Sequence, residues 1–297
     1  MMRKVLILGG TGQVGRALAR LDWPADVGLD APTHRQLDIT DAEAVRRWIG
    51  RGGYAAIVNA AAYTAVDRAE RESDAAFALN GVAPGVLAEA AATTEAVLIH
   101  LSTDYVFDGR AGRPYAEDDA PAPLNVYGAS KLAGERTVLD ALPEATVMRT
   151  SWIVGPDGAN FLTTMLRLAG ERDAIEVVDD QTGRPTAASE AARAVQAVLL
   201  RRLNDRAAPG GLLHFAGAGQ ATWAELACAV LGASRDRGGP YAEVRPIPTR
   251  AYPTPARRPA DTRLATERIT RDYGVRPRPW DETVAEIVAE RLRGTGV

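Results

Sequence analysis

Short apolar runs alternate with longer amphipathic stretches through the first half of the chain. The apolar runs predict strands at Val5–Leu8, Val27–Leu29, Ala56–Asn59, Val97–Leu101 and Thr146–Arg149. The amphipathic stretches predict helices at Gln13–Leu21, Asp41–Ile49, Ser73–Ala92 and Val126–Leu139. Pro84 is unexpected inside the third helix because proline cannot donate a backbone hydrogen bond. Strands that alternate with helices indicate parallel βαβ units, and therefore an α/β fold with a doubly wound parallel sheet.

The pattern becomes less regular after residue 150. Helical spacing recurs at Asn160–Leu168, Ala188–Leu200, Thr266–Tyr273 and Thr283–Leu292. Leu212–Phe215 predicts a strand, whereas Val244–Pro259 is rich in proline and arginine and predicts a loop that wraps around the body. We therefore expect a regular domain at residues 1–150 and a smaller, loop-rich lobe made mostly of residues 151–297. Segments near 175–218 are expected to return to the first domain.

Composition excludes several classes of protein. The 297 residues are 46% hydrophobic and 25% charged, which is ordinary for a globular enzyme. A net charge of -3 is too small to favour nucleic acid or an anionic membrane as a partner. The single cysteine, Cys228, excludes an intrachain disulfide and fits a reducing compartment. The apolar run near the start is too short for a signal peptide, and no apolar stretch reaches membrane-spanning length, so we expect a cytoplasmic protein.

A glycine-rich motif follows the first predicted strand directly. In GGTGQVG, glycines allow a tight turn, close approach of the backbone to a pyrophosphate and close packing of helix on strand. The helix that begins there presents its N-terminal amides to the phosphates. This context predicts a Rossmann-type, dinucleotide-binding domain at residues 1–150, with cofactor contacts from Gly9, Gly12, Gln13, Val14 and Gly15.

The residues after the second strand leave the choice of cofactor open. Asp30 could accept hydrogen bonds from the adenosine ribose, which favours NADH. Three basic residues could instead meet the 2′-phosphate of NADPH: Arg16, His34 and Arg35. Asp38 and Ile39 are either adenine-side residues or part of a plain solvated turn. Both cofactors therefore remain candidates.

Tyr127 and Lys131 are four residues apart and share one face of a predicted helix. Of the 35 lysine and arginine residues only Lys4 and Lys131 are lysine, so a lysine at this position is unlikely to be accidental. An ammonium group stabilises a phenolate, and we expect Lys131 to lower the pKa of Tyr127 from its usual value of about 10. The pair is therefore predicted to transfer a proton, and the ammonium could also bind a ribose hydroxyl of the cofactor.

Ser102 and Thr103 end the predicted strand VLIHLST. Ligands of open α/β sheets bind beyond the carboxyl ends of strands, so a hydroxyl here could orient a substrate carbonyl. The residue types alone do not choose between the two, and one of them could simply cap the following turn together with Asp104 or Asp108.

Taken together, these motifs resemble the extended short-chain dehydrogenase/reductases, and among them the dTDP-4-dehydrorhamnose reductases. The similarity runs over nearly the whole chain, and its more specific parts are AAAYTAVD, STDYVFDG and DDQTGRPT. It implies an oxidoreductase that uses NADPH or NADH to reduce a nucleotide-linked 4-keto sugar. The implied reaction is dTDP-4-dehydro-L-rhamnose to dTDP-L-rhamnose, in dTDP-rhamnose biosynthesis.

The resemblance also implies individual roles. Tyr127 would donate the proton, with Lys131 as its partner, and Thr103 would be the hydroxyl that tunes the tyrosine and orients the carbonyl. Ala62, Tyr63 and Thr64 would pass along the cofactor. The sugar nucleotide would contact Thr64, Val66, Thr103, Tyr105, Tyr127, Trp152 and Arg258. The alternatives are that Trp152 is a core aromatic residue, that Val66 only packs, and that Arg258 is a solvated charge.

Two positions depart from the family pattern. Some members carry a glutamate after the third glycine that helps to hold Mg²⁺ at a dimer contact, and this chain has Arg16 there. A cation repels the metal and Glu190 alone is a weak ligand set, so we expect no metal and leave monomer or homodimer open. Thr262 stands where the family usually has serine, which retains the hydroxyl.

Two rival functions remain. A nucleotide-sugar epimerase or dehydratase shares the same motifs, although dehydratases place a glutamate after the aspartate and Tyr105 follows Asp104 here. A non-catalytic, dinucleotide-binding regulatory subunit is the second rival, because relatives of these reductases serve as accessory subunits in S-adenosylmethionine synthesis. Net oxidation of a nicotinamide cofactor separates both rivals from a reductase.

Overall fold

A computed structural model describes residues 2–294 of the chain. Its strands, in chain order, are β1 Arg3–Leu8, β2 Val27–Asp30, β3 Tyr54–Asn59, β4 Val97–Thr103, β5 Thr146–Thr150, β6 Ile153–Val154, β7 Ala174–Val178, β8 Thr182–Gly183, β9 Thr186–Ala187, β10 Gly211–His214, β11 Ala221–Thr222 and β12 Glu243–Ile247. Its α-helices are α1 Gln13–Arg20, α2 Ala42–Gly52, α3 Val66–Ala69, α4 Ser73–Phe77, α5 Ala83–Thr94, α6 Val126–Ala141, α7 Phe161–Ala169, α8 Ala188–Asn204, α9 Trp223–Arg235, α10 Glu267–Tyr273 and α11 Trp280–Gly294.

Six parallel strands form the central sheet in the order β10-β5-β4-β3-β1-β2. Side chains alternate between its two faces, so Val5 and Ile7 pack under α1 and α8 while Leu6 and Leu8 pack under α2, α5 and α6. Burial on both faces explains why the strands are nearly continuous apolar runs. The predicted α/β fold, a Rossmann-type doubly wound parallel sheet, is confirmed.

A second hydrophobic core lies beyond the central sheet. It is formed by α7, α9 and α11 with the parallel pair β7 and β12, and includes Leu162, Val177, Leu226 and Val288. Between these segments the chain returns to the first core, where α8 packs on the sheet and β10 extends it. The division at residue 150 itself stays a prediction.

The prediction of a loop over Val244–Pro259 is wrong at its start, because β12 pairs with β7 there. The residues of β12 are partly or fully exposed, so this edge strand lacks the apolar alternation by which strands are recognised. Pro246 is tolerated because an edge strand has one unpaired side. The strand β7 was likewise not predicted.

The predicted single helix over Ser73–Ala92 is interrupted by a π-helical turn at Ala78–Val82. Pro84 follows in the first turn of α5, where a residue without an N–H is tolerated. The break at the π-helical turn therefore explains why a proline occurs inside this run. By length and composition the run Ser73–Thr94 could span a membrane. However, 56% of the 18-residue apolar stretch within it is buried in the fold, as is typical of a core helix. The described part of α11 begins three residues earlier than predicted.

Candidate active site

Gly9 and Gly15, in the glycine-rich loop between β1 and α1, leave no space for a side chain. Gly9 has a φ of +80°, and a Cβ added at Gly15 would lie only 2.2 Å from the Gly9 carbonyl oxygen. The Gly12 amide donates to that same oxygen at 2.9 Å, which closes the turn before α1 begins at Gln13. The loop therefore brings the N-terminus of α1 to the carboxyl end of β1, as a pyrophosphate site requires.

A cavity of about 520 Å³ runs along the carboxyl edge of the sheet from this loop to α6. The predicted cofactor residues on its wall are Gly9, Gly12, Gln13, Val14, Ile39, Ala62, Thr64, Tyr127 and Lys131. Gln13 Oε1 and Thr150 Oγ1 are buried and have no hydrogen-bond partner within residues 2–294, and both residues line this cavity. Unpaired buried polar atoms on the wall fit a site built for a polar ligand such as a dinucleotide.

The predicted adenosine end of the cavity is lined by basic rather than acidic side chains. Arg16 and His34 lie on its wall. The Asp30 carboxylate instead accepts a hydrogen bond from the Tyr54 hydroxyl, which in turn accepts one from Trp48 Nε1 at 2.8 Å. This geometry favours a cofactor that carries a 2′-phosphate, unless Asp30 also reaches the ribose.

Three other predicted cofactor residues make local contacts. Asp38 Oδ1 accepts from the Thr40 amide at 2.9 Å and from its hydroxyl at 2.7 Å, which supports the interpretation as a plain turn. Gly15 packs beneath Gly9. The Tyr63 hydroxyl donates to Glu72 at 2.7 Å, so its ring points away along the surface while its backbone is held by Asn80.

Tyr127 lies in the first turn of α6. Asn125 caps this helix, because its side-chain oxygen accepts a hydrogen bond from the Gly128 amide at 2.8 Å. Burial raises the pKa of Tyr127 to about 12, although its hydrogen bond with Thr103 acts in the opposite direction. The expectation that Lys131 lowers this pKa below 10 is therefore wrong for this structure. The phenol keeps its proton at neutral pH.

Lys131 is directed by two groups of β4. Its Nζ donates to the Leu101 carbonyl oxygen at 2.6 Å and lies 3.5 Å from His100 Nε2. Burial lowers the pKa of Lys131 to about 8. The ammonium is thus held on the cavity wall by the strand, in a position that does not depend on the tyrosine.

His100 and Asn59 hold the other side of this lysine. The Asn59 Oδ1 accepts from the Ala61 amide at 3.2 Å, so its Nδ2 faces His100 Nδ1 at 3.0 Å. Burial keeps the pKa of His100 well below its ordinary value, so a neutral imidazole lies beside the Lys131 ammonium, with Nε2 3.5 Å from Nζ. Neither His100 nor Asn59 was predicted to belong to the site. Each is a polar residue in an otherwise apolar strand, and this feature of the sequence could have identified them.

The two candidate hydroxyls at the end of β4 point to different partners. Ser102 Oγ donates to Glu135 at 2.5 Å, and Glu135 forms a buried ion pair with Arg149 at 2.6 Å. Thr103 is instead hydrogen-bonded to Tyr127. Its hydroxyl also accepts from the Tyr105 amide at 3.2 Å. The structure therefore brings Thr103, and not Ser102, to the phenol.

Of the predicted sugar-side residues, Tyr105 contacts Tyr127 and Arg258 lies close to Tyr105. The Tyr105 ring meets the Tyr127 ring edge-on, with 5.8 Å between their centroids. Arg258 forms a two-pronged ion pair with Asp67 at 2.8 and 3.0 Å, and its charge acts on Tyr105. Val66 begins α3 and is partly exposed beside Asp67.

Trp152 lies further into the second core. Its indole stacks on Trp223 at 3.5 Å, and a Cβ added at Gly183 would overlap it at 2.3 Å. Its φ of +45° is rare for a bulky residue. Such strain persists only where the surroundings impose it, and it is frequent at ligand sites. Packing against Trp223 and Gly183 accounts for the position of the indole ring. The contact of Trp152 with the sugar stays a prediction.

Glu190, the one carboxylate considered as a metal ligand, is engaged by arginines. Glu190 pairs with Arg193 and lies 3.7 Å from Arg278. Arg16 lines the nucleotide cavity. Among residues 2–294 there is no group of three histidine, cysteine, aspartate or glutamate side chains placed to hold a metal ion.

Comparisons with known proteins agree with this geometry. The family model described as the RmlD substrate binding domain matches residues 2–293. A protein of Sinorhizobium fredii named dTDP-4-dehydrorhamnose reductase is 41% identical over 286 residues, which cover 96% of each chain.

Two solved structures are similar over almost their full length. The dTDP-4-dehydrorhamnose reductase of Clostridium acetobutylicum superposes with a TM-score of 0.90 and 33% identity, over 97% of this chain and 99% of that one. The enzyme of Bacillus anthracis, in complex with NADP, superposes with a TM-score of 0.89 and 32% identity, over 98% of this chain and 100% of that one. On this evidence the chain belongs to the dTDP-4-dehydrorhamnose reductase family, whose model is the RmlD substrate binding domain.

Proposed function

We propose that this protein is a dTDP-4-dehydrorhamnose reductase, which reduces the C4 ketone of dTDP-4-dehydro-L-rhamnose with NADPH or NADH to give dTDP-L-rhamnose. The observation that carries the proposal is that Lys131 and Tyr127, which is hydrogen-bonded to Thr103, line the same cavity as the glycine-rich loop. Full-length relatives with that name, one of them solved with NADP, support the choice of substrate and cofactor.

The nicotinamide supplies the hydride when the cofactor is bound. Tyr127 donates its phenolic proton to the ketone oxygen, which it can do at neutral pH because its pKa is about 12. Thr103 holds the phenol by a hydrogen bond and so fixes the direction of transfer. Lys131, held by Leu101, provides a positive charge on the same cavity wall, where it stabilises the phenolate that forms.

The sugar nucleotide is assigned to the region around Tyr105 and the late loop. Arg258 offers a guanidinium pre-oriented by Asp67, which suits the diphosphate of a nucleotide. Thr64, Val66 and Tyr105 border the sugar, and Trp152 closes the pocket from the second core. Cytoplasmic location and a monomeric or homodimeric state complete the proposal.

Cofactor oxidation tests the function. Purified protein mixed with NADPH and dTDP-4-dehydro-L-rhamnose should consume the cofactor in proportion to the dTDP-L-rhamnose formed. A 4-epimerase would interconvert sugars without net oxidation, and a regulatory subunit would bind the dinucleotide without turnover. Either of these results would overturn the proposal.

A further inference from the structure

The carboxyl group of Asp104 is buried next to the proposed proton donor without a role in the mechanism above. Asp104 follows Thr103 directly and its side chain is 2% exposed. Its Oδ1 accepts a hydrogen bond from the Thr103 hydroxyl at 3.0 Å. Its Oδ2 is buried and has no hydrogen-bond partner within residues 2–294. A half-satisfied carboxyl in such a place needs an explanation beyond capping a turn.

Three oxygen atoms form a connected series here: Tyr127 Oη, Thr103 Oγ1 and Asp104 Oδ1. A threonine hydroxyl has one proton to donate and two lone pairs to accept with. When Asp104 is ionised, the Thr103 proton points to Asp104 and Thr103 accepts from the Tyr105 amide, so only a lone pair of Thr103 is left to face the phenol. Once Tyr127 has lost its proton, two acceptor oxygens would face each other with no proton between them.

A protonated Asp104 removes that conflict. It donates its own proton to Thr103, which frees the Thr103 proton to turn towards the phenolate. The protonation state of Asp104 therefore sets the direction in which the Thr103 hydroxyl points.

We propose that Asp104 is a positioning residue that acts through Thr103 and returns a proton to Tyr127 during turnover. As the Tyr127 O–H bond breaks and its proton passes to the ketone oxygen, the Thr103 proton moves to Tyr127 Oη and the Asp104 proton moves to Thr103 Oγ1. The carboxylate left on Asp104 takes up a proton from water before the next turnover. This inference rests on the proposed reductase function and adds the source of the proton that the reaction consumes.

The electrostatic surroundings suit a carboxyl that changes its charge near neutral pH. Burial, which outweighs the opposite effects of the Thr262 and Thr103 side chains, raises the pKa of Asp104 to about 7. Tyr105 and Tyr127 act on it from the turn after β4 and from α6, and both stay neutral because their own pKa values are raised.

The charged side chains of the neighbouring elements are engaged with other partners. Arg258 of the late loop and Asp67 of α3 both act on Tyr105 and are paired with each other. Lys131 of α6 is bound to the Leu101 carbonyl oxygen.

The expected pH dependence has a definite sign. The raised pKa means that Asp104 is protonated below about pH 7 and ionised above it. Because the protonated form is the active one, kcat for reduction should fall as pH rises through about 7, roughly tenfold for each further pH unit.

Asp104→Asn tests this dependence with little change in shape. The amide cannot supply a proton, so kcat below pH 7 should fall about tenfold or more, and the decline centred near pH 7 should give way to the one set by loss of the Lys131 charge, whose pKa is about 8. Asp118→Asn is the matched control, since Asp118 is an exposed carboxylate in the following loop, and it should keep the wild-type profile. A decline that stays at the same pH in Asp104→Asn would overturn the proposal.

Thr262→Val gives a second, directional test. The Thr262 side chain lowers the pKa of Asp104, so loss of its hydroxyl should move the decline in kcat to higher pH. No shift, or a shift to lower pH, would contradict the assignment of the decline to Asp104.

Infrared titration of the protein without substrate separates this inference from the reductase function. The carbonyl stretch of a buried protonated carboxyl should vanish as pH rises through about 7 in the wild type and be absent from Asp104→Asn. If that band titrates but no sugar is reduced, the proposed function fails while the protonation of Asp104 stands. If the wild-type carboxyl is already ionised at about pH 5, the relay is refuted whatever the activity.

Discussion

The contacts of Lys131 and the burial of Tyr127 reverse the expectation drawn from their residue types. The spacing of the two residues suggested that the ammonium lowers the pKa of the phenol, but the ammonium is bound to Leu101 and burial raises the pKa of Tyr127 to about 12. In the direction of reduction this is an advantage, because a proton donor must start protonated. We propose that Lys131 instead stabilises the phenolate after transfer and contacts the ribose.

Lys131→Arg should therefore be severe, although it keeps the charge. A guanidinium is wider than an ammonium and cannot occupy the space between Leu101 and His100 with the same geometry. We expect kcat to fall about a hundredfold or more. Stopped-flow kinetics with saturating NADPH provide the measurement, and Lys4→Arg, on the exposed side of β1, is the control. Near-wild-type kinetics for Lys131→Arg would remove the lysine from the mechanism.

Asp30 decides the cofactor preference if it reaches the ribose. Its carboxylate is held by Tyr54, whereas Arg16 and His34 line the cavity. Asp30→Ala removes a negative charge that would repel a 2′-phosphate, so the ratio of kcat/KM for NADPH to that for NADH should rise. Asp22→Ala, which removes an exposed carboxylate at the end of α1, should leave the ratio unchanged. A shift of Asp30→Ala towards NADH would show that Asp30 is not at the ribose.

At the scale of elements, α6 carries the proposed proton donor and is held in close contact with the π-helical turn at Ala78–Val82. The proline at the start of α5 and the carbonyl oxygen of Asn80 lie against Gly134, where an added Cβ would be 2.0 Å from that oxygen. Asn80 also bonds the Tyr63 backbone and Ser130 of α6, so the turn links the cofactor wall to the catalytic helix. The π-helical turn therefore helps to position α6 relative to the cavity.

Gly134→Ala should therefore destabilise the protein even though alanine favours helices. We expect the free energy of unfolding to fall by about 1–3 kcal/mol, because two backbones must separate. Gly232→Ala in α9 is the matched control, since an added Cβ there meets nothing within 4 Å, and it should stabilise by about 0.5–1 kcal/mol. Denaturant unfolding of both variants measures the contrast. Equal effects of the two substitutions would contradict the close packing.

At the scale of the whole molecule, the sequence predicted best where local pattern and tertiary environment agree. Strands such as β1 are buried on both faces and read as apolar runs, and the glycine-rich loop has steric requirements that appear directly in its residue types. β12 could not be found in this way because its exposed residues carry no period. The partners of Lys131 and the direction of the Thr103 hydroxyl depend on how strands and α6 come together, which no local pattern records.

The central claim is that Tyr127 donates the proton in a reductase reaction, and Tyr127→Phe tests it most directly. The substitution removes only the phenolic oxygen, so the ring still meets Tyr105 and the cavity keeps its shape. We predict that kcat for dTDP-4-dehydro-L-rhamnose falls by about two to four orders of magnitude, while NADPH affinity, followed by cofactor fluorescence, changes little. A Tyr127→Phe protein that stays folded, binds NADPH and keeps most of its turnover would contradict the account.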